Sequence, residues 1–149
     1  MTLGETVRAV LDQKGGWICW VAPETSVYEA LEIMAEHDIG AVMVVSDGEL
    51  CGVFSERDYA RKVILLGKAS KDTTVGEIMS SPAITVAPNG DIDDCMQMMT
   101  RYRIRHLPVV EGDVIAGMIS IGDVVNWTIR RQGEEILHLN HYIAGAYPA

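Results

Sequence analysis

The chain has 149 residues and a mass of 16.3 kDa, enough for one compact domain or two small halves with a real core. Hydrophobic residues make up 48% and charged residues 22%, which excludes a disordered or collagen-like chain. The net charge of −9 argues against nucleic acid as a main partner, because such binding relies on Lys and Arg at the phosphates. The apolar runs fall far short of the roughly 20 residues that span a bilayer, and residues 1–15 lack a signal-peptide core. We therefore expect a cytoplasmic protein without a membrane partner.

An internal repeat is the most informative feature of the sequence. The triplet Val-Ala-Pro at residues 21–23 returns 65 residues later at residues 86–88. Keeping that offset through residue 60, ten of forty aligned positions are identical. Such self-similarity is typical of a duplicated structural unit. We predict a first repeat at 6–67, a linker at 68–73, a second repeat at 74–130 and a C-terminal helical tail at 131–149.

Each repeat predicts the same order of elements. In the first repeat these are a helix at 7–11, an extended segment ending at 23, a one-faced helix from 27, strands at 42–45 and 50–54, and a helix from 56 that ends at 67. In the second repeat they are a helix at 75–79, an extended segment ending at 88, a helix from 92, strands at 107–110 and 114–119, and a helix from 121. A unit with so few strands cannot cover its own sheet. The sequence therefore predicts an α/β (α+β) fold in which two repeats pack together about a pseudo-twofold axis and share a core, leaving two clefts.

The pattern Gly-x-x-Ser-x-x-Asp occurs in both repeats, between the last strand and the helix that follows it. It comprises Ser55 and Asp58 in the first repeat and Ser120 and Asp123 in the second. One interpretation is a capping box, in which Ser and Asp bond the first backbone N–H groups of the helix. The other is a nucleotide site, since a helix N-terminus with a hydroxyl suits phosphate and a carboxylate suits the two hydroxyls of a ribose.

The repeat, the paired motif and the Leu-Pro-Val-Val strand at residues 107–110 resemble tandem CBS domains, the family named after cystathionine beta-synthase. The resemblance covers residues 6–129 and implies a disc-like Bateman module of two repeats. It also implies adenosine-containing ligands in the clefts: AMP, ADP, ATP, NAD(H) or S-adenosylmethionine. In this family the motif Asp holds the ribose hydroxyls and the Ser lies near phosphate.

The resemblance also assigns residues to two unequal clefts. The first cleft is expected to combine Ser55, Arg57, Asp58, Pro82, Ala83, Ile84, Thr85 and Arg105. The second is expected to combine Ile18, Cys19, Trp20, Gly40, Ala41, His106, Ser120 and Asp123. Arg105 and His106 match phosphate-contacting positions in the gamma subunit of AMP-activated protein kinase, and Arg57 has the glycine at 122 as its counterpart. We expect different ligands or affinities at the two clefts.

Other residue groups have competing interpretations. Arg101 and Arg103 fit a solvated helix end, where cations complement the C-terminal dipole. The indoles at residues 17 and 20 would stack on a ligand or serve packing. Residues 134, 138 and 141 have a spacing that suits either a metal ion or an exposed helix face, and we assign no metal site. The three cysteines, at 19, 51 and 95, predict reduced buried thiols, with a redox sensor as the alternative.

These observations predict a non-enzymatic sensor with no catalytic residues and no catalytic cofactor. An adenine nucleotide (AMP, ATP or NAD) is the expected ligand. We expect a free-standing module without an attached effector domain, so that a signal would pass through a homodimer or an unknown effector protein. Apolar stripes at residues 124–129 and 136–143 would serve such contacts. The alternative is a protein-interaction scaffold whose nucleotide clefts are degenerate.

Overall fold

The first repeat builds a three-stranded sheet among its helices. The computed structural model describes residues 6–15 and 17–146, with side chains described up to Glu134. The elements are α1 (Val7–Lys14), β1 (Trp20–Val21), α2 (Val27–His37), β2 (Ala41–Ser46), β3 (Glu49–Ser55) and α3 (Glu56–Tyr59), which continues as a π-helical segment, Ala60–Ile64. Strand β1 lies parallel to β2, and β2 pairs antiparallel with β3. Asp47 and Gly48 turn this hairpin with φ of 52° and 79°, as a tight two-residue turn requires.

The second repeat contains α4 (Val75–Ile78), α5 (Ile92–Tyr102), β4 (His106–Glu111), β5 (Val114–Ser120) and α6 (Ile121–Ala146). Strands β4 and β5 form an antiparallel pair, and its register shifts between Val109 and Val110 as that of the first hairpin shifts between Val44 and Val45. The extended segment predicted before residue 88 forms only an isolated parallel bridge, from Val86 to Val109. The tail predicted to begin at residue 131 continues α6 without a break.

Side-chain caps explain where the longer helices begin. Thr6, Ser26 and Asp91 each accept a hydrogen bond from a backbone N–H two or three residues later, at the starts of α1, α2 and α5. Helices α2 and α5 both end at a residue in the left-handed conformation, Asp38 and Arg103. The two repeats therefore define equivalent helices with equivalent local chemistry, although the residues at these positions differ.

The two repeats exchange their first helices, and two hydrophobic clusters form in place of the single shared core that the sequence predicted. The first cluster combines β1–β3 and α2 with Val75 and Ile78 of α4. The second combines β4, β5, α5 and α6 with Val7 and Val10 of α1. Each first helix is too short to be stable alone, and it buries its apolar face against the sheet of the other repeat. The predicted α/β (α+β) class with two repeats is confirmed.

Candidate functional site

A cavity of about 1000 Å³ lies where β3 leads into α3 and where α5 leads into β4. Both repeats contribute to its walls, because the segment after α4 crosses in front of the motif of the first repeat. Seven of the eight residues predicted for the first cleft line this cavity: Ser55, Arg57, Asp58, Pro82, Ala83, Ile84 and Arg105. Thr85, the eighth, is absent from the lining. We refer to this cavity as the first cleft.

Asp58 is the most heavily bonded side chain of the first cleft and is only 7% exposed. Its Oδ2 accepts from the backbone N–H and the hydroxyl of Ser55, each at 3.0 Å. Its Oδ1 accepts from the Ser80 hydroxyl at 2.8 Å and pairs with Lys62 Nζ at 3.1 Å. Four donors thus converge on one carboxylate, about the number that two carboxylate oxygens can accept.

The motif does form the capping box that was one of its two interpretations. The backbone N–H of Asp58 donates to Ser55 Oγ at 3.2 Å, while the Asp58 carboxylate accepts from the N–H of Ser55. Ser120 and Asp123 reproduce both bonds, at 3.2 and 2.8 Å, at the start of α6. Capping accounts for one oxygen of each carboxylate, and the Oδ1 atom of Asp58 remains directed at other groups.

The first cleft concentrates positive charge. Of the twelve Lys and Arg residues in the chain, five line it: Arg57, Arg61, Lys62, Arg103 and Arg105. Two acidic residues, Glu56 and Asp58, also line it. Arg57 is held in place because its Nη1 donates to the backbone carbonyl of Arg103 at 2.6 Å. In a chain with a net charge of −9, such a cluster creates a local positive field that attracts anions.

Gly40 and His106, which the sequence assigned to the second cleft, line the first cleft. They pack against each other: a Cβ added at Gly40 would lie 3.4 Å from His106 Cε1 and 2.9 Å from Glu56 Oε1. Burial lowers the pKa of His106 below its usual 6.5, and the nearby charge of Lys14 lowers it further. The carboxylate of Asp123 acts in the opposite direction and raises this pKa, so His106 lies near the motif of the second repeat as well.

The glycine that opens each motif is needed for close packing of the protein against itself. A Cβ at Gly52 would lie 2.5 Å from the backbone oxygen of Ser80. Val53 and Ser80 exchange two backbone hydrogen bonds, at 3.0 and 2.9 Å, so the chain after α4 is fixed at this distance. At Gly117, which has a φ of 157°, the near neighbour is Leu11 Cδ2 at 2.9 Å. Gly52 therefore seats the segment that places Ser80 on Asp58.

The second copy of the motif has a different environment. The Nζ of Lys14, at the end of α1, lies 2.7 Å from Asp123 Oδ2 and donates to the carbonyl of Met118 at 2.8 Å. Of the residues predicted beside Asp123, Trp20 lies on β1, where it pairs with Met43, and Ala41 begins β2. The lining of the first cleft does not include Ala41 or three other residues predicted beside Asp123: Ile18, Cys19 and Ser120. We refer to the region around Asp123 as the second cleft.

The position one helical turn after each motif Asp also differs between repeats. In the first repeat it is Lys62, which pairs with Asp58. In the second it is Trp127, whose indole N–H is buried with no hydrogen-bond partner among the described residues. An indole cannot neutralise a carboxylate, so the charge of Asp123 is compensated from another element, by Lys14.

Several residues of the first cleft were missed by the sequence prediction. Arg61, Lys62 and Ser80 line it, as does Arg103, for which a solvated helix end was predicted. Lys62 was detectable, because an i,i+4 spacing from Asp58 places it on the same helical face. Ser80 and Lys14 were not, because only the exchange of first helices brings them to the motifs of the opposite repeats.

The remaining candidates have other roles or lie outside the described side chains. The ring of Trp17 packs on that of His37, with centroids 4.6 Å apart. Of the three cysteines predicted to be buried, Cys95 is buried, whereas Cys19 and Cys51 are half-buried. Burial together with Asp94 and Asp91 raises the pKa of Cys95 to about 11. His138 and His141 of the alternative metal site lie outside the described side chains. No group of three metal-ligating residues occurs among the side chains that are described. Over the same part of the chain, every helix is too short or too polar to cross a bilayer.

Comparison with known proteins agrees with this architecture. The CBS domain family matches the chain twice, at residues 18–64 and 75–130. The chain belongs to the CBS-domain family. The tandem CBS pair predicted from the sequence is therefore confirmed.

Individual relatives show how far the similarity extends. CBS domain-containing protein CBSX3, mitochondrial, of Arabidopsis thaliana is 44% identical over 95% of this chain and 73% of its own length. A CBS-domain-containing protein of Agrobacterium tumefaciens has a similar solved structure, with a TM-score of 0.79 and 39% identity over 83% of this chain and 99% of that one. The CBS domain pair of protein MJ0100, solved with 5′-methylthioadenosine and S-adenosylmethionine, has a TM-score of 0.77. It is 24% identical over 86% of this chain and 98% of that chain, so it shows the fold alone.

Proposed function

We propose that this CBS pair is a non-enzymatic regulatory module that binds an adenosine-containing ligand with phosphate in the first cleft. The observation that carries the proposal is the grouping of five of the twelve Lys and Arg residues in one cavity of a strongly acidic chain. Ion pairs within the protein do not account for these five cations, since only two acidic side chains line the same cavity. The cavity volume of about 1000 Å³ is ample for a nucleotide.

The ribose is the second element of recognition. A ligand hydroxyl that donates to Asp58 Oδ1 would replace the Ser80 hydroxyl, which lies there at 2.8 Å. This exchange is electrically neutral, and it leaves the capping bonds to Oδ2 in place. Arg57 and Arg105 would then hold phosphate oxygens, for which a guanidinium is well suited.

The charge of the cleft also orders the candidate ligands. AMP, ADP, ATP and NAD carry phosphate, whereas the sulfonium of S-adenosylmethionine would face a cationic wall. The fold neighbour MJ0100 was solved with S-adenosylmethionine. Here we expect phosphorylated adenine ligands to bind more tightly, and their affinity to fall as salt rises.

A regulatory output requires that the ligand favour one arrangement of the two repeats over another. A ligand in the first cleft would contact both repeats, because the walls of the cleft come from both. The output would reach a homodimer partner or an effector protein. On α6, Val125 and Ile129 are 44% and 60% exposed and offer an apolar contact for either. A cytoplasmic location remains a prediction.

Isothermal titration with AMP, ATP, NAD and S-adenosylmethionine tests the proposal. Arg57→Ala removes a charged hydrogen-bond donor, and the affinity for AMP should fall about tenfold or more. The control is Arg131→Ala, which deletes a half-buried cation that pairs with Asp93 and is not part of the cleft lining. We expect Arg131→Ala to bind AMP as the wild type does. Failure of the wild type to bind any of these ligands at millimolar concentration would overturn the proposal.

The second candidate is an interaction scaffold with degenerate clefts. It is favoured by the capping box and by the four donors that satisfy Asp58 without a ligand. For a scaffold, Asp58→Ala would reduce stability, and no nucleotide would raise the melting temperature of the wild type. A ligand at 100 times its dissociation constant should raise the unfolding free energy by about 2.7 kcal/mol if the sensor interpretation holds.

A further inference from the structure

The two motif carboxylates obtain their compensating cations from different places. Asp58 pairs with Lys62, one helical turn later in the same helical segment, at 3.1 Å. Trp127 occupies the corresponding position after Asp123, and its indole N–H has no partner among the described residues. The salt bridge that the structure forms at Asp123 instead comes from Lys14, which is 109 residues away in sequence. The charge balance of the second cleft thus depends on α1.

The segment after α4 and the last residue of α1 approach the two motifs with different groups. After α4, Ser80 offers Asp58 a neutral hydroxyl at 2.8 Å. At the end of α1, Lys14 offers Asp123 an ammonium at 2.7 Å and bonds the carbonyl of Met118 as well. A ligand hydroxyl can replace a serine hydroxyl without a change in charge. It cannot replace a lysine without leaving the carboxylate short of a cation.

We propose that Lys14 is an internal competitor in the second cleft, because its ammonium on Asp123 Oδ2 neutralises the carboxylate that would accept the hydroxyls of a nucleoside. The proposal extends the proposed function, because it assigns Asp123 the role proposed for Asp58. Lys14 lowers the affinity of the second cleft and makes the two clefts unequal. Lys14 also holds the end of α1 on β5, so a nucleoside that competes with it for Asp123 loosens α1, and tight docking of α1 weakens that binding.

The size of the effect follows from the exposure of the ion pair. The side chain of Lys14 is 38% exposed and that of Asp123 is 17% exposed, so solvent screens the attraction between them. An ion pair of this kind changes an affinity by about fivefold. Removing Lys14 should therefore strengthen binding of a neutral nucleoside at the second cleft by about that factor.

The test uses adenosine, which carries no phosphate and so does not benefit from the charge of Lys14. Asp58→Ala, made in the full chain, disables the first cleft and isolates the second. Lys14→Met is then added, and titration calorimetry compares the double variant with Asp58→Ala carrying Arg8→Met. Arg8 is the matched control, because it lies on the same helix and forms a single exposed ion pair with Glu111. We expect the Lys14→Met protein to bind adenosine about fivefold more tightly than the Arg8→Met protein.

A second background keeps the test independent of the folding of Asp58→Ala. In the otherwise wild-type chain, Lys14→Met should strengthen an adenosine-binding event that Asp123→Ala abolishes. Equal or weaker adenosine binding by Lys14→Met, or none at all, overturns the proposal. If Lys14→Met binds AMP more weakly at the second cleft and adenosine no more tightly, the proposal is also overturned, since Lys14 would then be a phosphate ligand. Wild-type binding of AMP at the first cleft is measured separately, so the two proposals can fail separately.

Discussion

Asp58→Ala removes an acceptor that serves four donors, and its cost can be worked out bond by bond. Loss of the two bonds from Ser55, donated by its backbone N–H and its hydroxyl as part of the cap, costs about 1 kcal/mol. Loss of the charged hydrogen bond from Ser80 costs about 1.5–2 kcal/mol, because its acceptor, Asp58, is buried. The Lys62 ion pair adds at most about 0.5 kcal/mol, since the Lys62 side chain is 42% exposed and screened by solvent.

Together these terms give a loss of about 3 kcal/mol in the free energy of unfolding. For a chain of this size, that loss lowers the melting temperature by roughly 6–12 °C. Asp123→Ala is the matched comparison. Asp123 caps α6 in the same way, and the only other bond of its carboxylate among the described residues is the partly exposed ion pair with Lys14. Asp123→Ala should therefore reduce the free energy of unfolding by about 1.5 kcal/mol.

Urea denaturation followed by circular dichroism measures both losses on the same scale. The reasoning requires Asp58→Ala to be the more destabilised of the two by about 1.5 kcal/mol, the difference between the two sums. Equal losses would refute it, because the Lys62 and Lys14 pairs cancel in this comparison and the Ser80 bond would then contribute nothing. Slopes that differ between the variants would show a change in the unfolded state instead of a lost bond.

Two further predictions concern single residues. Gly52→Ala should destabilise the chain by about 1–3 kcal/mol, because its Cβ would lie 2.5 Å from the Ser80 backbone oxygen. Gly133→Ala is the comparison: a Cβ there would have nothing within 4 Å, so the variant should stabilise α6 by up to about 1 kcal/mol, and thermal melts measure both changes. For His106, whose pKa burial lowers below 6.5, the unfolded chain takes up the proton first, so stability should fall as the pH drops below about 6.5. His106→Gln should flatten that dependence, and an unchanged slope, or a pKa at or above 6.5 by NMR titration, would contradict the prediction.

Much of the fold could be predicted because it follows from local chemistry repeated along the chain. The alternation of apolar residues predicted both hairpins, and the caps and turn residues gave their bounds to within a residue or two. The short first helices were harder. Helix α1 extends to Lys14, beyond the predicted end at residue 11, because that last turn docks on β5. The strand before residue 88 did not form beyond one bridge, since a parallel edge gains little from so short a segment.

By itself, the sequence determined the duplication, the secondary structure of each repeat and the position of both motifs, because these depend on residues close together in the chain. The resemblance to CBS domains assigned to one cleft seven residues that the tertiary structure brings into one cavity. Only the tertiary structure decided which repeat each first helix packs on. That exchange places Ser80 on Asp58 and Lys14 on Asp123, and it joins residues 22 and 109 positions apart. Such contacts depend on how two apolar faces fit together, which no local pattern of residues records.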